Sequence, residues 1–187
     1  MKKFFFGLFC FAFLSANHHN HTLQGVNYFY NSYSFRYTVK QCLNIEKENL
    51  YFNYIVNIFE RYRLPLELIY IPVIESCFNP LAVSPKGAKG MWQINNITAK
   101  HLNMKVSETF NWKISTIGAA KYFIFLRERF STWPLILASY NVGPTFVRQQ
   151  IKKYNTTDIE KLNLPKETLN YVYKFFAMIK LLREKKL

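Results

Sequence analysis

The sequence predicts a mainly α-helical protein. Beyond Leu43, apolar residues recur at intervals of three and four, and no segment shows the strict alternation of a half-buried strand. Proline and glycine residues interrupt the periodic segments, most densely over 79–90, which is predicted to be a loop. The chain has 187 residues, half of them apolar, so one domain with a buried core is expected.

The helices are predicted in chain order. The first covers about 44–63 and ends before Pro65, a residue suited to the first turn of the next helix. That second helix runs to Glu75 with a kink at Pro72. Residues 115–130 are apolar nearly all round, which predicts a buried helix. Further helices are predicted over 134–140 and 145–154 and from Pro165 towards the C-terminus, and a short strand around 91–93 is the one β element expected.

The first 16 residues are typical of a secretory signal peptide. Lys2 and Lys3 precede an apolar run that is too short to cross a membrane, and small residues follow at Ser15 and Ala16. Two alternatives stay open: lipidation at Cys10, and retention of the segment as an uncleaved membrane anchor.

Residues 17–42 are rich in aromatic and polar side chains without a helical period. We therefore expect an extended N-terminal arm whose rings mainly pack on the domain rather than meet a substrate, with the main domain over 43–187. The tract 18–21 contains three histidines but is better interpreted as a polar tail than as a metal site. Export permits a disulfide between Cys42 and Cys77; two small buried cysteines are the alternative, and both stay open.

Charge and acid content restrict the chemistry. The formal net charge is +14, which favours an anionic partner, but the basic residues are spread along the chain, and with predicted export this argues against nucleic acid. Among the 11 acidic residues Asp158 is the one aspartate. A Mg²⁺ or Ca²⁺ site built from aspartates is therefore not expected, nor is any other cofactor.

Glu75 carries the one formal charge between Leu68 and Pro85, and its neighbours are apolar. Burial without a cation should raise the pKa of its carboxyl. A carboxyl that stays protonated near neutral pH is what a general acid requires. The alternative is a glutamate at a helix end that points to water.

Several blocks of sequence, in this order, resemble the soluble lytic transglycosylase family. They are Glu-Ser at 75–76, Gly-Ala-Lys-Gly-Met-Trp-Gln at 87–93, Ala-Ser-Tyr-Asn-Val-Gly-Pro at 138–144 and Leu-Pro-Lys-Glu-Thr-Leu-Asn-Tyr-Val at 164–172. The preceding stretch 63–68 resembles the membrane-bound lytic murein transglycosylase D branch in particular.

The resemblance implies a goose-lysozyme-like helical domain in the periplasm or cell envelope of a bacterium. Its substrate would be the glycan strands of peptidoglycan, with association with the wall or membrane. It would cleave the β-1,4 bond from N-acetylmuramic acid to N-acetylglucosamine and form a 1,6-anhydro ring. A hydrolytic muramidase and a non-catalytic peptidoglycan-binding protein on the same fold are the alternatives.

The resemblance also implies residue roles. Glu75 would act first as acid and then as base. Tyr140 would lie near Glu75, and Glu167 would hold the last helix in place. Trp92 is expected in the core. The residues expected to bind substrate are Ser76, Met91, Gln93, Tyr140, Asn141 and Tyr171.

Overall fold

The computed structural model describes residues 20–47 and 51–187, which form α-helices and short 3-10 turns around one apolar core. The predicted helical class is confirmed. Within these ranges the β structure is limited to two isolated antiparallel bridges, Val83 with Lys89 and Lys89 with Ile94. The segment 91–93, predicted as a short strand, is the turn between bridged residues. The helices are α1 (Asn20–Asn31), α2 (Tyr33–Lys47), α3 (Tyr51–Arg61), α4 (Ile71–Glu75), α5 (Asn96–His101), α6 (Trp112–Arg127), α7 (Trp133–Val142), α8 (Pro144–Tyr154) and α9 (Lys166–Arg183), with 3-10 turns at Leu66–Tyr70, Val106–Phe110 and Ile159–Lys161.

The prediction of an extended arm over 17–42 is wrong for residues 20–42, the part of it that the structure describes. Residues 20–47 form the helical hairpin α1–α2, and α1 packs along α9. Gly25 makes this close approach: a Cβ at that position would lie 2.4 Å from the ring of Tyr173. The expected packing of its rings holds for Phe29, Tyr30 and Phe35, whereas other rings of the segment are exposed. Residues 1–19, with the predicted signal peptide, lie outside the described part of the chain.

The hairpin was missed because its helical period is faint. Its buried positions are few and mostly small: Val26, Val39, Cys42 and Leu43. The large aromatic rings, which normally mark the buried face, include Tyr28 and Tyr33, 72% and 82% exposed. In the described ranges, no helix is long and apolar enough to cross a membrane.

The segment before the site differs from the predicted kinked helix. Leu66–Tyr70 is a 3-10 turn, and α4 then begins with Pro72 in its first turn. A first turn has no hydrogen bond for the missing proline N–H to lose, so Pro72 begins a helix instead of bending one. Glu67 in the 3-10 turn is buried and pairs with Arg183 of α9 at 3.0 Å, which connects this segment to the last helix.

Trp92 is fully buried, as expected, and fixes the turn that follows the loop. Its ring stacks on Phe59 of α3 at 5.3 Å between centroids. Its indole N–H donates to the hydroxyl of Thr116 on α6 at 2.9 Å, which satisfies the polar atom that burial would otherwise leave unpaired.

Gly87 and Gly90 provide a matched pair for testing this loop. Both have positive φ, 80° and 75°, but a Cβ would meet nothing within 4 Å at Gly87 and would lie 1.9 Å from the Thr109 carbonyl oxygen at Gly90. Gly87→Ala should lower the free energy of unfolding by about 1 kcal/mol, because alanine is strained at a positive φ even where there is room for its Cβ. Gly90→Ala should cost at least about 3 kcal/mol, because backbone must also move. Urea unfolding measures both; equal losses would contradict the packing described for Gly90.

Candidate active site

Glu75 is the last residue of the five-residue helix α4. The helix closes tightly, since the backbone N–H groups of Ser76 and Phe78 both donate to the Pro72 carbonyl, at 3.0 and 3.2 Å. Cys77 and Phe78 then adopt the left-handed conformation, with φ of 53° and 59°. The chain therefore reverses immediately after Glu75.

A disulfide joins this turn to the N-terminal hairpin. Cys77 is bonded to Cys42 of α2, with the two Cα atoms 4.9 Å apart. The question that the sequence left open is thus resolved in favour of the bridge. It closes a sequence separation of 35 residues, and constraining such a loop in the unfolded chain stabilises the fold by about 4 kcal/mol in the chain-entropy model.

The turn at 90–93 lies beside Glu75 and is held by residues predicted for the site. The Ser76 hydroxyl donates to the Met91 carbonyl at 2.8 Å. The Tyr140 hydroxyl donates to the Trp92 carbonyl, also at 2.8 Å. Gln93 has φ of 48°, and its side-chain amide donates to the Gly90 carbonyl at 2.9 Å. These side chains shape the site whether or not they also touch a substrate.

Burial raises the pKa of the Glu75 carboxyl from its ordinary 4.5 to about 7. The Tyr171 hydroxyl acts in the opposite direction and lowers that pKa by its polar interaction with the carboxylate. Neither a cation nor a second carboxylate is among the groups of the described chain that set this pKa. The Glu75 residue nevertheless keeps some exposed surface, so a substrate can reach it.

Two tyrosines face this carboxyl from different helices. Burial raises the pKa values of Tyr140 on α7 and Tyr171 on α9 well above the ordinary value, and the negative charge of Glu75 raises them further. Both phenols therefore stay protonated at neutral pH. The Tyr171 hydroxyl is buried and has no hydrogen-bond partner at normal distance and angle in the described chain. The hydroxyl nevertheless interacts with Glu75 electrostatically and affects the pKa of its carboxyl.

Helices α4, α7 and α9 thus bring together Glu75, Tyr140 and Tyr171. Asn141 follows Tyr140, and its side-chain oxygen accepts from the Thr168 hydroxyl of α9 at 2.8 Å. Thr168 was not predicted as a site residue: it lies within the family-like block 164–172, but that block does not show that its hydroxyl supports a residue on another helix.

Met91 does not occupy the predicted place. It is fully buried, so its side chain has no surface with which to contact a substrate in this structure. An apolar residue beside a buried tryptophan in a tight turn is drawn into the same core. Its carbonyl oxygen, which accepts from Ser76, is the part that contributes to the site.

Glu167 lies at the start of α9 and forms an ion pair with Lys86 of the loop 79–90. Both side chains are mostly exposed, at 65% and 76%, so this pair contributes little to stability. It links the last helix to the loop beside the site. In the described ranges, no cluster of three or more His, Cys, Asp or Glu side chains is placed to hold a metal ion.

The family follows from this fold and site together with a sequence match. Residues 53–163, more than half of the chain, match the family model described as the transglycosylase SLT domain. The chain belongs to this family, which confirms the resemblance found in its sequence blocks.

Named relatives agree with this assignment. Membrane-bound lytic murein transglycosylase D of Escherichia coli K12 is 29% identical over 145 residues, 73% of this chain and 32% of that protein. Membrane-bound lytic murein transglycosylase F of Desulfosudis oleivorans is 35% identical over 104 residues, 51% of this chain and 22% of that protein. The chain thus spans at most about a third of the length of these relatives.

Solved structures share the fold. The soluble lytic transglycosylase SLT70 of E. coli superposes with a TM-score of 0.61 and 21% identity, covering 88% of this chain and 30% of that one. An inactive mutant of the lytic transglycosylase Slt from Pseudomonas aeruginosa superposes with a TM-score of 0.51 and 22% identity, covering 70% and 24%. The predicted lysozyme-like helical fold is confirmed.

The burial of Glu75 should make stability depend on pH. Below pH 4.5 the carboxyl is protonated in both the folded and the unfolded chain and has no effect. As pH rises from 4.5 to 7, the unfolded chain ionises first, so stability falls by about 2–3 kcal/mol and then levels off. Glu75→Gln should therefore raise the unfolding free energy at pH 8 by about this amount and change it little at pH 4.

Glu167→Gln is the matched control, because this glutamate is exposed. It should change the unfolding free energy by less than about 1 kcal/mol at either pH. Urea unfolding of both variants provides the comparison. A Glu75→Gln gain that is the same at pH 4 and pH 8 would show that the carboxyl is not held protonated by the fold.

Proposed function

We propose that this chain is a peptidoglycan lytic transglycosylase, with Glu75 as its acid and base. The observation that carries the proposal is a single buried carboxyl, on a residue that keeps some exposed surface, whose pKa burial raises to about 7 with no second carboxylate acting on it. Most glycosidases need two carboxyl groups, one as acid and one as base or nucleophile. A site with one carboxyl group fits a reaction in which the substrate itself supplies the nucleophile.

In the first half of the reaction, Glu75 is protonated and donates its proton to the glycosidic oxygen between N-acetylmuramic acid and N-acetylglucosamine. The bond from the muramic acid anomeric carbon to that oxygen breaks, and the N-acetylglucosamine end leaves as an alcohol. A pKa near the working pH keeps enough of the acid form present while leaving the proton transferable.

In the second half, the Glu75 carboxylate takes the proton from the C6 hydroxyl of the same muramic acid. That oxygen attacks the anomeric carbon and closes the 1,6-anhydro ring, which returns Glu75 to its acid form. Since the nucleophile is already attached to the reacting sugar, no positioned water is required. The Tyr171 hydroxyl, which favours the carboxylate, stabilises Glu75 between the two halves.

The other predicted residues would bind the sugar. Asn141 has its side-chain oxygen engaged by Thr168, so its amide N–H groups are the ones left to donate to a substrate carbonyl such as an acetamido oxygen. Ser76 and Gln93 lie at the edges of the turn beside Glu75 and would make further polar contacts. Tyr140 anchors that turn through the Trp92 carbonyl.

The comparisons support this function. The named relatives are lytic murein transglycosylases, and the Pseudomonas structure is of a mutant, described as inactive, in which glutamine replaces glutamate. The proposed substrate, the glycan strands of peptidoglycan, would put the protein in the bacterial cell envelope, where its net positive charge would favour contact with the carboxylates of the peptide stems.

Glu75→Gln tests the assignment. Purified peptidoglycan is digested with the wild-type chain, and mass spectrometry should find muropeptides with anhydro ends, each lighter by one water than a reducing end. Glu75→Gln should lower their release by at least about a thousandfold, because glutamine cannot donate or accept the proton. Glu167→Gln, the exposed control, should keep full activity. Reducing ends in place of anhydro ends would indicate a hydrolase, and an active Glu75→Gln would refute the catalytic assignment.

The Tyr171 hydroxyl gives a prediction about pH. The wild-type kcat/KM should decline as pH rises through about 7, when Glu75 loses its proton. Tyr171→Phe removes the group that lowers the Glu75 pKa, so this decline should move to higher pH. Tyr173→Phe, two residues further on, is the control, because its hydroxyl binds Glu160 at 2.9 Å instead. A decline at the same pH in wild type and Tyr171→Phe would exclude the proposed influence of Tyr171.

A further inference from the structure

The hairpin α1–α2 lies outside the family match, which begins at residue 53, yet it is attached to two of the three elements that form the site, at the end of α4 and along α9. Through α2, the Cys42–Cys77 disulfide reaches the turn that follows Glu75. Through α1, Gly25 lies against Tyr173 on the helix that carries Tyr171. The hairpin therefore contacts the supports of both the carboxyl and its tyrosine partner.

The turn after Glu75 is a costly conformation that needs such support. Two consecutive residues other than glycine, Cys77 and Phe78, are left-handed, and each costs about 1–2 kcal/mol. The five-residue helix before them is far too short to be stable on its own. The position of Glu75 is thus set by whatever fixes this turn.

Two side chains fix it. Phe78 is buried in the core with 1% of its surface exposed. Cys77 keeps more exposed surface and is held by its bond to Cys42, which is itself buried at 1% exposure. Of the two, Cys77 is closer to Glu75 along the chain, and its anchor is covalent.

We infer that the Cys42–Cys77 disulfide is a positioning element of the active site, through which the N-terminal hairpin holds the Glu75 carboxyl in its buried, reactive placement. This rests on the proposed function of Glu75. Once the bond is broken, the turn can relax to right-handed or extended backbone, and Glu75 moves into water.

The consequence for the carboxyl has a definite direction. The groups that face Glu75 are the hydroxyls of Tyr140 from α7 and Tyr171 from α9, and both stay protonated at neutral pH. Burial is the cause that raises the Glu75 pKa. Hydration of the relaxed site therefore lowers that pKa towards its ordinary value, and a smaller fraction of the enzyme holds the acid form at pH 7.

The experiment compares the oxidised chain, the chain reduced with dithiothreitol, and Cys42→Ala/Cys77→Ala. Reduction transfers two electrons and two protons from the dithiol, which closes to its own disulfide, and leaves two protein thiols. All forms are assayed below their unfolding temperatures, established by circular dichroism. The reduced form and the double variant should show kcat lower by about tenfold to a hundredfold, KM changed by less than about twofold, and the decline of activity shifted from about pH 7 towards pH 4.5.

Two controls separate positioning from stability alone. Dithiothreitol should not change the double variant further, which excludes effects on any other group. Cys42→Ala/Cys77→Gly also lacks the bridge, but glycine adopts a left-handed φ without cost. It should recover part of the lost kcat and return the decline towards pH 7. A reduced chain that is folded and has the kcat and pH dependence of the oxidised chain would overturn the inference.

A direct titration keeps this test independent of the proposed function. The carboxyl carbon of Glu75 is followed by NMR in protein labelled with ¹³C glutamate, and its signal is identified by its loss in Glu75→Gln. The oxidised chain should titrate near pH 7 and the reduced chain at lower pH; equal midpoints would refute positioning. An oxidised chain without transglycosylase activity would refute the proposed function instead, whatever the titration shows.

Discussion

The structure depends on one physical constraint, the burial of the Glu75 carboxyl without a charged partner. Desolvation alone raises its pKa to about 7, and the one opposing interaction comes from the Tyr171 hydroxyl. An arginine or lysine beside Glu75 would stabilise the carboxylate, so the protonated form that a general acid requires would be lost at neutral pH. The burial must therefore come from the fold, and the groups that act on this carboxyl come from helices distant in sequence, α7 and α9.

This arrangement makes the backbone around Glu75 unusually demanding. The carboxyl is carried by a helix of five residues, and two residues with left-handed backbone, Cys77 and Phe78, follow it closely. In the neighbouring turn, Gln93 also has a positive φ. Such conformations persist where the surroundings leave no alternative. Here the surroundings are the buried Phe78 and Trp92, the hydrogen bonds from Ser76 and Tyr140, and the bridge to Cys42. Rigidity near Glu75 thus originates largely outside the residues that would touch a substrate.

The sequence predicted the helical class, the positions of the later helices and the isolation of Glu75, because these follow from local periodicity and local charge. It failed where tertiary contacts decide the outcome. The hairpin 20–47 was missed because Gly25 and a few small residues carry its packing while Tyr28 and Tyr33 face outward. Met91 was misplaced because a motif does not show whether a residue contributes its side chain or its carbonyl oxygen, and here the side chain is buried in the core. The disulfide depended on a Cα distance that spacing cannot supply.

In the proposed reaction one carboxyl acts twice, and the sugar, not water, supplies the nucleophile. Digestion of peptidoglycan in water enriched in the heavy oxygen isotope tests this most directly, because the two mechanisms place different oxygens on the anomeric carbon. New muramic acid ends should contain no heavy oxygen and should carry the anhydro ring. Incorporation of one heavy oxygen at each new end would contradict it and would show that water attacks in this site.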